Sequence, residues 1–270
     1  MSRFSWAPHV LAIELKKVFS YRLDFWIKFL LSTATELGVA YCLWKAIYEY
    51  QGQTVMAGFT FKGIIFYYLF ALSATRIGRG DDHGYLAGDI YDGGLTRYLL
   101  YPLSFLGYKY VTHFSQQLMG IVKLSLAFVA LMALVGLPEA HQISVGSYAA
   151  GGVTCLLTGF LYFFMASCLE LVAFWQDVVW NLLVMLRFIA TFLGGAMIPL
   201  SFFPAWARAA VMWTPFPALI TFPTKTFLGE VTLTEWFANI GILALWSLVF
   251  YFLSAKIWAR GLRQYSGVGI

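Results

Sequence analysis

The sequence predicts an all-α, polytopic membrane protein with six transmembrane helices, and two observations carry that prediction. The 270 residues are 60% hydrophobic and only 11% charged, with a mean hydropathy of +0.73, outside the balance of a soluble domain. Apolar runs of the ~20 residues that a membrane-spanning helix needs recur at 25–48, 58–78, 111–136, 147–174, 178–199 and 237–258. These six runs fill the chain, so residues 1–270 read as a single transmembrane domain, and any soluble activity is expected from a partner.

The first element precedes the first span. Its opening, MSRFSWAPHVLAIELKKVFSYRLDFW, lacks the basic, apolar and small-residue order of a cleaved leader. Val10, Leu11, Ile13 and Leu15 alternate with Glu14, Lys16, Lys17 and Arg22, which predicts an amphipathic helix over 1–23 lying in the membrane interface. Further along, the connection Trp175-Gln176-Asp177 is short enough to make the fourth and fifth spans an antiparallel hairpin.

Basic residues set the orientation. With the N-terminus inside, Arg3, Lys16, Lys17, Arg22, Arg76, Arg79, Arg97, Lys109, Lys256, Arg260 and Arg263 lie at the inner face, and only Lys45, Lys62, Arg208 and Lys225 lie outside. The inner excess places both termini and the polar segment 79–104 in the cytoplasm. The net charge of +5 accordingly speaks for orientation and anionic lipid; no basic run or motif points to nucleic acid.

The outer segment, 199–232, is too apolar for a solvated loop. Prolines at 199, 204, 215, 217 and 223 forbid one continuous helix. Short re-entrant helices that dip into the outer leaflet, shelter their broken backbone in protein and bury the segment's aromatics, Phe202, Phe203, Trp206, Trp213 and Phe216 among them, are expected. An aromatic belt at the interface accounts for any single tryptophan equally well.

Several chemistries are missing. No Gly-Lys pair exists for a phosphate-binding P-loop, and neither HExxH nor GxSxG occurs. His9, His83, His113 and His141 lack ligand spacing, and Cys42, Cys155 and Cys168 sit in apolar runs as small hydrophobes; no metal is expected. Asp89 and Asp92 resemble intramembrane aspartyl proteases only faintly, because both lie in one polar segment instead of on two facing spans, and Leu86 stands where that motif needs glycine.

Four charges inside spans are costly enough to need a reason. Glu36 and Lys123 fall at similar depth, as do Glu170 and Arg187, so the expected pairs are Glu36–Lys123 and Glu170–Arg187. They either tie helices together, snorkel to the interface, or line a polar path or subunit interface.

The segment 79–104 is where acids, glycines, an arginine and a proline gather. Gly84, Gly88, Gly93 and Gly94 permit turns. Leu95, Leu99 and Leu100 are expected to form one apolar ridge of a short helix ending before Pro102, with Asp89, Asp92 and Arg97 as a charged rim. Such an element suits a groove on another protein; a loop with Arg97 at the lipid headgroups is the plainer alternative.

The run GGLTRYLLYPLS (93–104) resembles the cytoplasmic motif of the type-two permease family of ATP-binding-cassette (ABC) exporters, with Gly94, Leu95, Arg97, Leu99, Leu100, Pro102 and Leu103 matching it. The outer segment is similar to that family's paired short outer helices, which implies a cap on the outer exit with Phe202, Phe203, Trp206, Trp213 and Phe216 as its gate for an apolar or amphipathic cargo, and WARGLRQYSGVGI is similar to the family's usual ending. Thr96 and Tyr101 depart from the pattern, where an acid and a basic residue are expected. The resemblance implies a permease in a bacterial cytoplasmic (inner) membrane that forms the substrate pathway with a second permease subunit, identical or related. Separate ABC ATPase subunits would bind ATP and Mg²⁺, this chain holding no cofactor. The stretch 81–102 would be the coupling helix, contacting the ATPase through Asp89, Asp92, Gly94, Leu95, Arg97, Leu99, Leu100 and Pro102. A membrane scaffold that binds a soluble partner through 81–102 is the competing expectation.

Overall fold

The computed structural model describes residues 6–20, 22–80, 85–138 and 143–265. Its helices are α1 (Ala7–Ser20), α2 (Arg22–Gln51), α3 (Phe61–Arg79), α4 (Tyr85–Tyr91), α5 (Leu95–Leu99), α6 (Phe105–Val135), α7 (Val145–Glu170), α8 (Trp180–Leu193), α9 (Ala205–Val211), α10 (Phe216–Leu219), α11 (Thr221–Phe227) and α12 (Leu233–Gly261). A helix thus lies over each of the six apolar runs. The stretches α6, Val145–Phe174 and α12 are long and apolar enough to cross a membrane by length and composition.

Sequence chemistry sets the helix ends. Ser144 and Ser147 close a reciprocal capping box at the start of α7, and Thr232 and Glu235 another at α12, satisfying amide donors that a helix start leaves open. Gly136 ends α6 at a φ of 76°. A small element was not foreseen: Val55–Met56 and Phe59–Thr60 pair as a two-stranded hairpin, β1 and β2, around Ala57-Gly58. Both turn residues have positive φ, as a two-residue hairpin turn requires, but Ala-Gly is not the Asn-Gly pair that advertises one. Tyr48 anchors the hairpin by donating to the Phe59 carbonyl at 2.6 Å.

α7 is the central post. The apolar window of Val145–Phe174 is 72% buried, against 11% for α6 and 17% for α12, and α3, α6, α11 and α12 all pack on it. α12, and α6 over its C-terminal half, leave most of their apolar residues exposed, as lipid-facing helices do. Close approach of α6 to α7 depends on Gly159, where an added Cβ would lie 1.4 Å from Nε2 of the fully buried Gln117. On another face of α7, Phe227 stacks on Phe70 at 4.8 Å and fills the space over Gly151.

The fifth apolar run departs from expectation. Its helix, α8, has 14 residues, about 21 Å at ~1.5 Å per residue and short of the ~30 Å hydrocarbon layer. It stops at Gly194-Gly195, the latter at φ +92°. The carbonyls freed there are taken up by hydroxyls: Thr221 donates to Gly194 at 2.7 Å, Tyr67 to Gly195 at 2.8 Å and Tyr68 to Met197 at 2.8 Å. Broken backbone amid apolar surroundings is tolerated when protein groups satisfy it in this way.

Candidate functional site

α4 and α5 lie at the end of the bundle opposite the β-hairpin, since α3 runs from the hairpin to Gly80. Neither helix is long enough to hold itself: α4 has seven residues and α5 has five, and isolated helices shorter than ~12–15 residues are marginal in water. Tertiary contacts hold them. Leu86, Ala87, Ile90 and Leu95 join Phe105, Leu171, Ala173 and Val179 in a second apolar cluster, with Ile257, Trp258 and Tyr265 packed on its edge. This core is separate from the main one, and it draws together four helices, α4, α5, α6 and α12, with Val179 just before α8 and the short 3₁₀ turn Leu171–Phe174 that follows α7.

Polar contacts finish the attachment. Glu170, at the last position of α7, accepts hydrogen bonds from the backbone N–H groups of Leu86 at 2.7 Å and Ala87 at 3.3 Å. Those are first-turn donors of α4, so a carboxylate from another helix acts as its cap. Asp89 forms an ion pair with Lys109 of α6. Tyr91 donates to the Gln176 carbonyl at 2.8 Å, tying α4 to the connection between α7 and α8. Gly93, at φ +72°, makes the turn that separates α4 from α5, a backbone conformation that glycine adopts without a Cβ penalty.

α5 enters the cluster end-on. Leu95 at its start is 0% exposed and Leu100 just past its end is 81% exposed. The expected single ridge of Leu95, Leu99 and Leu100 is therefore divided: Leu95 is an anchor, while Leu99 and Leu100 are exposed. The charged rim divides as well. Asp89 is spent on Lys109, and a Cβ on Gly94 would meet its carboxylate at 3.0 Å, so these two residues face inward. Asp92, Arg97 and Pro102 remain on the surface beside Tyr101. The adjoining loop adds Trp175, Val178 and Trp180, all exposed.

Other expected positions resolve differently. The acidic start of the segment, residues 81–84, and the tail 266–270 lie outside the described residues, as do 1–5 of the N-terminal helix. Thr96, which stands where an acid was expected, shares a hydrogen bond with Tyr265 at 3.0 Å. Glu36 pairs with Arg76 at 2.8 Å, correcting the expected Glu36–Lys123 pair; the neighbouring helix α3 supplies the closer cation, and Lys123 Nζ lies 5.8 Å from the centre of the Phe29 ring. Glu170 caps α4 as described, and the Arg187 guanidinium lies 4.7 Å over the Trp180 ring.

The outer aromatics form no single cluster. Phe202 packs on Trp44 at 5.1 Å and Phe203 on Phe192 at 5.4 Å, and Phe216 is partly buried against the main core. Trp206 and Trp213 are exposed on the protein surface. Trp206 lies on α9, which is brief, begins after Pro204 and runs along the surface.

The sequence reading missed Lys109, Gln176 and Tyr265 as partners of the segment. Their signal was weak: a lone lysine at a span's start, a short polar connection and a terminal tyrosine. Among the described residues no group of three or more His, Cys, Asp or Glu side chains could hold a metal ion. The arrangement presents a small surface of charge and exposed leucine rooted in a cluster of four helices.

Comparison with known proteins gives one match. A family model described as ABC-2 family transporter protein covers residues 34–269. Neither the curated proteins nor the solved structures give a match.

Proposed function

The chain belongs to the ABC-2 transporter family, a family of membrane components that work with an ATPase, and from that premise we propose that it is the permease subunit of an exporter driven by separate ATPase subunits. Two permeases, identical or related, form the substrate path between them. Six spans cross a bacterial cytoplasmic membrane, both termini face the cytoplasm, and α1 lies along the inner leaflet. The outer segment from Pro199 caps the exit toward an apolar or amphipathic cargo.

The observation that carries the reading is the double character of α4 and α5. Their inner side is fixed by Leu86, Ile90 and Leu95 and by the Glu170 cap, while Arg97, Leu99 and Leu100 stand exposed. An ATPase surface that holds the exposed side moves the fixed side with it. Displacement reaches α7 through Glu170 and α6 through the Asp89–Lys109 pair. The nucleotide and Mg²⁺ belong to the partner, which supplies the hydrolysis; this chain receives the movement.

The test is gentle purification of the chain from its native membrane, with mass spectrometry of what stays bound. An ABC ATPase is expected in the wild-type sample and strongly depleted with Arg97→Glu, which reverses an exposed charge and leaves the buried cluster intact. Reproducible absence of any ATPase from the wild type overturns the reading in favour of a scaffold.

A further inference from the structure

An open cavity of about 290 Å³ lies beside the docking segment, bordered by α1, α3, α4, α5, α6 and α7. Cations come to it from three separate elements: Lys17 on α1, Arg79 on α3 and Lys109 on α6. Two of the cations already carry carboxylate partners, Lys17 with Glu14 at 2.7 Å and Lys109 with Asp89, while Glu170 on the wall accepts from the α4 amides. The Glu14 hydrogen bond keeps the Lys17 ammonium charged above the ordinary lysine range. Tyr98, Tyr108 and Thr112 add hydroxyls, and Phe163 and Ala166 give an apolar wall.

We propose that this cavity binds a phosphate group. Lysine and arginine from several directions, with hydroxyl donors between them, suit tetrahedral anionic oxygens. The size fits a phosphate with a short substituent, since the cavity sits at the lower edge of the ~300–1,000 Å³ typical of small-molecule sites. Its place also matters: the amphipathic α1 forms one wall, and helices of that kind lie at the depth of phospholipid headgroups. Two sources therefore fit, the headgroup of a phospholipid or free phosphate. Leu86 of α4 and Tyr98 of α5 line the cavity, and Lys109 also holds Asp89, so an occupant touches the docking segment directly.

The experiment uses the full chain in mild detergent and needs no ATPase, so its failure leaves the permease reading standing. Thermal stabilisation is titrated with dihexanoyl phosphatidylglycerol, inorganic phosphate and phosphate-free dihexanoylglycerol. Saturable stabilisation by a phosphate-bearing probe and none by dihexanoylglycerol is expected. Half-saturation should rise about tenfold in Arg79→Gln and in Lys17→Gln, the loss of one charge-assisted hydrogen bond, and stay unchanged in Lys45→Gln on α2. Lys17 is largely solvent-exposed, so its variant folds even if Arg79→Gln does not. Response to phosphatidylglycerol alone identifies a lipid headgroup, and an equal response to inorganic phosphate identifies the free ion; either supports the site. No saturable response to either probe, or binding indifferent to both variants, overturns it.

Discussion

Replacing Glu170 with alanine should release the docking segment while leaving the rest of the bundle folded. The Leu86 and Ala87 amides that Glu170 accepts from are on residues only 2% and 4% exposed, so water is a poor substitute acceptor. A hydrogen bond to a charged group contributes ~1.5–3 kcal/mol, and a buried donor left unsatisfied costs ~1–3 kcal/mol. The two bonds share one carboxylate oxygen and the Ala87 bond is long at 3.3 Å, so they do not add fully. A local loss of about 2–3 kcal/mol is the reasonable sum for this pair. Hydrogen exchange of the detergent-solubilised chain reads it directly, because local opening has its own free energy. At ~1.4 kcal/mol per factor of ten, peptides covering 85–99 should exchange roughly 30- to 100-fold faster in Glu170→Ala. Glu170→Gln keeps a neutral acceptor and should fall between. Protection within α7 and α12 should not change. Unaltered exchange of Leu86 and Ala87 in Glu170→Ala would refute the idea that this carboxylate holds α4.

Other expectations follow from the same packing. Gly159→Ala drives a methyl into the Gln117 amide and should destabilise by about 1–3 kcal/mol, as overpacked cores do; adding Gln117→Ala should restore much of the melting temperature, and strict additivity would count against the clash. Phe227→Ala removes the ring stacked on Phe70 and should cost about 3–5 kcal/mol, measured as a lowered thermal midpoint in detergent. Leu95→Asp and Leu100→Asp separate anchoring from docking. The first buries a charge in the second cluster and should raise exchange over 85–99; the second should leave exchange unchanged while depleting the copurifying ATPase. Equal effects of the two on exchange would contradict the end-on entry of α5.

Composition and apolar run length made the helices legible because the bilayer imposes both on any spanning segment. The short outer helices were legible from prolines 199, 204, 215, 217 and 223, which interrupt the backbone wherever they stand. Pairing was not legible. Glu36 and Lys123 share a depth, yet depth along the helices says nothing of azimuth, and Arg76 on the adjoining α3 is the residue that meets Glu36. The docking segment shows the same limit. Its glycines marked the turn at Gly93, but helical spacing groups Leu95 with Leu99, whereas the tilt that buries one and exposes the other is set by Phe105, Leu171 and Val179 from distant parts of the chain. Glu170 was legible as a costly charge; its acceptor role depends on α4 folding against it.

The hydroxyls at the end of α8 fix the way that helix moves. Sliding along its axis would break the Thr221, Tyr67 and Tyr68 bonds together, whereas tilting strains each of them only slightly. At the opposite end Val179 is embedded in the cluster that carries α4 and α5. In the proposed permease α8 would serve as a lever with its fulcrum at Gly194 and its handle at the docking segment. A shift of roughly 2 Å at the handle, the size of ordinary interface helix shifts, over an arm of about 21 Å rotates it by roughly 5°, and the fulcrum remains still while the middle of the helix sweeps sideways.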